Sequence, residues 1–528
     1  MALRFLQRAP PLTSPDTGTR IMVDMQRREI VNKDSRESLY GEIEPTANNT
    51  RNIHDLHLRH LYLVASAALL TLGAMTFIVR SPHFNSTRRN PVKLWGYLAP
   101  YQRTDYLEPP TDCVIEQVNI LHRHGARFPK SPDQKATMQA LAKYQDAVAY
   151  HSPELQFLND YSYDLGAESL VPFGAEQSWL SGVGAYKRYG SLVDHANLPF
   201  MRASLSDRVV MSAKNWSEGF FDASGRRYQP KISVYIDEGP YSNNTLDDNN
   251  CPKAAEPNEQ VDAWVQEFAS PVADRLNLLA VGLRENITAK DAFYLMMMCP
   301  FESVYHREYS LFCQMFSKKE FEGFEYTLDL EQFYNTGYGQ NHDLGRIQGV
   351  GYVNELLARL TDKHVKDHTQ TNHTLNGDPT TFPLKKRMYV DFSHDHAMVA
   401  IYSALGLFDA RPLDPVKPHR DRKWVASAIV PFSGRLAVER LRCTPRDGLY
   451  GFRSRGPKRQ KREGIYVRIL VNDDLQPLPF CGGDNDGLCK LTDFVKSQEF
   501  SRTDGNGKFH KCGYDPSHTK DPDSGPDA

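Results

Sequence analysis

The segment "CVIEQVNILHRHGARFPK", from Cys113 to Lys130, constrains the fold more than any other. β-Branched and apolar residues run as far as Leu121, which predicts a strand, and a glycine turn carrying Arg123, His124 and Arg127 follows at once. Like charges packed this closely repel one another, so a concentrated anion is expected among them. A second candidate strand, "RMYVDFSH", runs into His394 and Asp395 far downstream, and a third, "IYVRILVN", comes later still. Between the first two lie stretches of helical period such as "VDAWVQEFASPVADRLNLL" and "LGRIQGVGYVNELLARL". Strands near both ends, with a helical block from about residue 130 to about 380, predict an α/β sheet domain carrying an α-rich second domain.

A strand that ends in a glycine turn into a helix puts its cations at the carboxyl edge of a sheet, where open α/β sheets bind ligands. Arginine offers a planar fork of donors suited to phosphate, so Arg123 and Arg127 around His124 suggest a phosphoryl group held before an imidazole. A carboxyl group beside a bound phosphate is repelled if ionised. Asp395 is therefore expected to keep a proton and act as general acid, with His394 as a further donor to the anion. A third cation is expected from "FMRASLSDRVVMSAKNWSEGF", where either Arg202 or Arg208 lies ahead of the strand-like "RVVMS".

The net charge of -2 over 528 residues excludes a general nucleic-acid binder, which needs a broad basic surface. The 40% apolar and 24% charged shares are those of a globular chain. None of the eight cysteines shows the paired spacing of a zinc site, and an even, scattered set predicts disulfides in an oxidising compartment. Glycosylation triplets headed by Asn85, Asn215, Asn243, Asn286 and Asn372 agree, and another stands at Asn48.

Residues 61–79, "LYLVASAALLTLGAMTFIV", form an uncharged run close to the ~20 residues that span a bilayer as a helix. The expectation is a signal anchor, with residues 1–60 a disordered tail, 80–93 a stalk, 94–515 the globular part and 516–528 a loose end. Basic residues after the span favour a cytosolic C-terminal side, whereas the cysteines and triplets place it in the lumen or outside the cell, as in a single-pass type II protein. Long domains translocate largely regardless of charge, so the second cue carries the expectation. From Asp504 on, the chain is turn-rich and expected to be loose apart from Cys512.

"RHGARFP" with a distant "HD" resembles the histidine acid phosphatases. Further likeness in "VPFGAEQSWLSGVGAYKRYG", "RASLSDRVVMSAKNWSEGF", "GYVNELLARLT", "NHTLNGDPTTFPL" and "VRILVNDDLQPL" narrows it to the fungal phytase-like subfamily, over roughly Leu94 to Cys512. The resemblance implies a mixed sheet flanked by helices, phosphoglycerate-mutase-like, with an inserted smaller α-helical domain. It also implies that His124 attacks phosphorus to form a phosphohistidine while Asp395 protonates the leaving alkoxide. Arg123, Arg127 and, by the match to "RAS", Arg202 would hold the phosphate with His394. No metal or other cofactor is implied. The expected substrate is a phosphomonoester, inositol hexakisphosphate or a broader range. The disulfides implied are Cys113 with Cys443, Cys251 with Cys512, Cys299 with Cys313, and Cys481 with Cys489.

The chain departs from the subfamily in three places. His396 follows "HD" where phytases usually carry asparagine, a membrane segment stands where a secretion signal is usual, and "RSRGPKRQKRE" from Arg453 to Glu463 is a basic insertion. That insertion reads as a solvated loop, an attractor of polyanions or, through its Lys-Arg pairs, a site for a processing protease. Two rival readings use the same residues. A metal site on His394, Asp395 and His396 leaves the cations around Gly125 without a purpose. A catalytically inactive membrane-anchored binder of phosphate esters needs neither nucleophile nor acid.

Overall fold

The computed structural model describes residues 92–239, 242–247, 251–254, 259–339, 344–419, 421–445 and 462–514. The expected tail, membrane segment and most of the stalk lie outside these residues, as do 453–461 of the basic insertion and the last residues, 515–528. Among the described residues no helix is long and apolar enough to cross a membrane. Every described residue belongs to one compact unit of the chain, which falls within Pro82–Ala528.

Eight strands form the central sheet. They are β1 (Cys113–Arg123), β2 (Phe200–Ser204), β3 (Ile232–Ile236), β4 (Met388–Ser393), β5 (Arg435–Cys443), β6 (Gly464–Val471), β7 (Asp474–Leu475) and β8 (Cys489–Lys490). Their order is β8-β6-β5-β1-β4-β2-β3, with β7 paired to β6. Strands β1, β4, β2 and β3 run parallel, and β5, β6 and β8 are added antiparallel. The four parallel strands therefore end at one edge, and that edge carries the site. β1 is buried on both faces from Gln117 onward and β4 throughout, as the central strands of a covered sheet must be.

Helices cover both faces. On one, α2 (Pro172–Tyr189) and α3 (Asp207–Ala223) pack Tyr189, Trp216 and Phe220 against Ile120, Met201 and Phe392. On the other, α7 (Val350–Thr361) and α8 (Asp395–Leu405) pack Leu356, Met398 and Tyr402 against strand residues such as Leu121, Tyr389 and Val438. The same core continues into α1 (Ser131–Gln145), α4 (Glu259–Leu279), α5 (Ala289–His306) and α6 (Lys318–Asn335). Capping boxes at Thr288/Asp291 and Ser317/Glu320 start α5 and α6.

Three expectations change. Residues 130–380 are not one helical block, because β2 and β3 fall inside that interval and belong to the central sheet. "RVVMS" is the first turns of α3 rather than a strand; the strand is "FMRAS", and an acidic Asp207 starts the helix after it. Lastly, the segment after Asp504 is packed as far as it is described, for Phe509 and Cys512 are buried with Ile347, Val350 and Phe500. The disulfides join Cys113 to Cys443, Cys251 to Cys512, Cys299 to Cys313 and Cys481 to Cys489, the pairs the resemblance implied.

Candidate active site

The carboxyl ends of the parallel strands surround a cavity of about 250 Å³. His124 follows β1, and its backbone is tied to both neighbours: its N–H donates to Ser393 O of β4 at 3.2 Å, and its carbonyl accepts from Ser433 N. Its ring Nδ1 lies 2.8 Å from Gly125 O. A carbonyl only accepts, so Nδ1 carries the proton and the lone pair is at Nε2. Burial holds this imidazole well below its usual pKa, helped by Arg123, Arg208 and Arg127. It is thus a neutral, oriented nucleophile.

Arg127, Lys130 and Arg208 supply the cavity's positive wall. Arg127 is buried and donates to Phe128 O at 2.8 Å, while Arg208 reaches Glu168 Oε2 at 3.2 Å and His394 Nδ1 at 3.4 Å. The Nε of each guanidinium is buried without an acceptor, which a phosphate oxygen would supply. His394 caps the start of α8 and stands 5.7 Å from His124, ring centre to ring centre. Its Nε2 donates to Glu238 Oε1 at 2.6 Å, and Ser204 also donates to that carboxylate. Burial raises the pKa of Glu238, but the hydrogen bond and charge of His394, with Ser204 and Arg208, together outweigh it and hold the carboxyl below its usual range.

Arg123 and Arg202 do not line the cavity. Arg123 lies fully buried behind it, donating to Tyr97 O and Val430 O, stacked 4.6 Å from the Phe432 ring centre and ion-paired with Asp395. Its role is to hold Asp395. Arg202 points into the sheet's interior, where it binds Asp391 Oδ1 at 2.8 Å and Glu355 Oε2 at 2.8 Å. A mid-strand position buried under β4 cannot reach the edge. The third phosphate-facing arginine is instead Arg208, in the first turn of the helix that follows β2.

Asp395 opens α8 and lines the cavity together with the cations. The expectation that it keeps a proton is not met by these surroundings. Burial raises its pKa, yet Arg123, His396, Lys130 and Arg127 together override this and hold the carboxyl well below the usual range. Its Oδ1 also accepts from His396 N at 2.9 Å. His394, Asp395 and His396 do not converge as ligands, because they engage Glu238, Arg123 and Glu331 respectively. Glu238, Asp247 and Lys130 line the cavity without having been expected there, and His396, set apart in the sequence as the residue after "HD", lines it too. Lys130 sits within the same motif as His124, and Glu238 follows β3 at the shared edge, so strand order would have flagged both.

Comparison with known proteins agrees with this geometry. Residues 114–472 match the model of the histidine phosphatase superfamily, branch 2. Phytase A of Aspergillus fumigatus is 38% identical over 435 residues, covering 78% of this chain and 89% of that protein. Phytase A of Neurospora crassa is 35% identical over 507 residues, covering 85% and 97%. The crystal structure of the phytase from D. castellii superposes with a TM-score of 0.65 at 22% identity, over 81% of this chain and 88% of that one. With this family model matched over residues 114–472 and a phytase 38% identical over most of both chains, the chain belongs to the histidine phosphatase superfamily, branch 2.

Proposed function

We propose that the protein is an acid phosphatase of the phytase type, cleaving phosphomonoesters of inositol hexakisphosphate through a phosphohistidine. As a member of its family it is a phosphoric monoester hydrolase. What carries the finer reading is one arrangement: His124, with its lone pair at Nε2, lines one cavity together with Asp395, Arg127 and Arg208. Extensive likeness to fungal phytases supports the choice of substrate over a broader range of esters.

In the first step Nε2 of His124 attacks phosphorus, a P–N bond forms, and the P–O bond to the leaving group breaks. Arg127 and Arg208, with His394, neutralise charge on the phosphoryl oxygens in the transition state. The bound phosphate sets new negative charge beside Asp395, which favours its protonated form, and the leaving alkoxide takes that proton. Water then attacks the phosphohistidine and returns a proton to Asp395. Because the acid must be loaded, activity is expected at acidic pH.

The test is phosphate release from inositol hexakisphosphate and p-nitrophenyl phosphate by the full chain, with EDTA, beside His124→Ala. Release that persists with chelator and disappears in the variant supports the reading; no release from either by a folded wild type favours the inactive binder. A rate ratio favouring the simple ester favours a broad-specificity acid phosphatase. We also infer a type II anchor through residues 61–79, with the catalytic unit on the lumenal or outer side and open to release by proteolysis between the anchor and that unit.

A further inference from the structure

We propose that His396 and Glu331 form a charge-gated subsite that selects polyphosphorylated leaving groups over simple ones; the inference rests on the phosphatase reading above. The two histidines flanking Asp395 face different walls. His394 turns to Glu238 and Arg208 on the phosphoryl side. His396 also lines the cavity, but its Nε2 lies 3.6 Å from Oε1 of Glu331, a residue of α6. Tyr97 OH donates to Glu331 Oε2 at 2.9 Å and holds that carboxylate in place. Lys130, ahead of α1, completes the wall.

The charged and titratable groups around His396 are Glu331 from α6, Tyr97 from the turn Gly96–Leu98, Lys130 and Asp133 about the start of α1, Arg127 after β1, and Asp395 on its own helix. A protonated His396 makes the pair with Glu331 neutral, so the pair neither offsets Lys130 nor adds to the negative charge of Asp133. Loss of the proton leaves a net charge of -1 on the pair, beside the leaving group. A simple ester places its single phosphoryl group against Arg127, Arg208 and His124 and carries no other anion to this wall. A polyphosphorylated ring brings its neighbouring phosphates there. The pair's charge therefore acts on one class of substrate and spares the other. One unit of charge at this range changes the preference roughly three- to thirtyfold at the effective dielectrics of protein surfaces.

The experiment measures kcat/KM for inositol hexakisphosphate and for p-nitrophenyl phosphate from about pH 4 to about pH 8, across the ordinary imidazole range. It compares the full-chain wild type, His396→Asn and Glu331→Gln, and reads the ratio of the two substrates, whatever the variants do to turnover. In wild type the ratio falls roughly three- to thirtyfold with rising pH beyond the fall seen in His396→Asn, where the substrate's own phosphates and the general acid Asp395 still titrate. Glu331→Gln removes the anion that favours imidazolium, so the fall moves to lower pH and shrinks. Because Glu331→Gln keeps the residue's shape, it serves even if His396→Asn does not fold. Ratios that follow the same curve in all three proteins overturn the subsite while leaving the phosphatase reading intact. Failure of folded wild type to cleave either substrate overturns both.

Discussion

Arg202 and Arg208 belong to one stretch of sequence and do unrelated work. Arg202 and Arg359 pin Asp391 far below the usual carboxylate range against the opposing effect of burial, and Thr245 and Tyr352 complete the buried network. Removing one partner of a buried ion pair strands the other, so Arg202→Ala is expected to cost roughly 3–5 kcal/mol of stability in denaturant titration. Arg208→Ala is expected to unfold like wild type and to lose roughly 10²–10³ in kcat/KM, the loss usual for one transition-state donor. The opposite pattern would return Arg202 to the site. His122, beside the nucleophile, gives a second residue-scale prediction. Burial first, and then Arg435, pushes this imidazole from 6.5 down to about 3, while Nε2 meets Ser181 Oγ at 2.8 Å. The folded state thus resists the proton that the unfolded state accepts. Stability from this group is complete above about pH 6.5 and is lost toward pH 3, by about 1.4 kcal/mol per pH unit. His122→Gln is expected to flatten the stability profile between those limits, and an unchanged slope would show that His122 is protonated in the fold.

The catalytic turn is held by helix α2 at the level of elements. A Cβ on Gly174 would stand 2.1 Å from Ala126 O, and one on Gly125 would stand 2.1 Å from Gly174 O. Helix and turn therefore touch backbone to backbone, and Ala126 N donates to Gln177 of the same helix. Gly174→Ala is expected to push the turn off the helix and lower kcat roughly tenfold to hundredfold, as small misplacements of reacting groups do. Gly184, exposed on the same helix with nothing within 4 Å of its would-be Cβ, is the control. Gly184→Ala is expected to leave activity alone and add roughly 0.5–1 kcal/mol of stability. Equal effects of the two changes would show that the close approach has no catalytic weight. This scale also marks where sequence ceased to inform. Strands β1, β4 and β6 announced themselves by long apolar runs, and with them His124, His394 and Asp395. The five-residue β2 and β3 did not, since short β-branched runs occur in helices too. Spacing left Arg202 and Arg208 open, and the match to "RAS" selected Arg202, which stands in the middle of β2. Glu331 lies in no motif, and only the packing of α6 brings it to His396.

For the whole molecule, the proposed anchor allows two arrangements, with the catalytic unit on one side of a membrane or the other. Disulfides Cys113–Cys443 and Cys251–Cys512 close spans of 330 and 261 residues, and each such bond typically adds about 2–5 kcal/mol. A chain built on them suits an oxidising compartment. The glycosylation triplets turn this into a test, because their accessibility differs. Asn286 is exposed, whereas Asn215 lies mid-helix in α3 with the following Trp216 and Ser217 buried, and Asn372 caps a short helix by accepting from Leu375 N. Asn48 precedes the apolar run of residues 61–79, so in a type II arrangement it stays in the cytosol. Glycopeptide mass spectrometry of the full chain made in a eukaryotic secretory host is expected to find a glycan on Asn286, none on Asn48, and low occupancy at Asn215. A glycan on Asn48 with none on Asn286 would invert the arrangement, placing the catalytic unit in the reducing cytosol, where disulfides do not persist; the basic residues after the span would then have been the better guide.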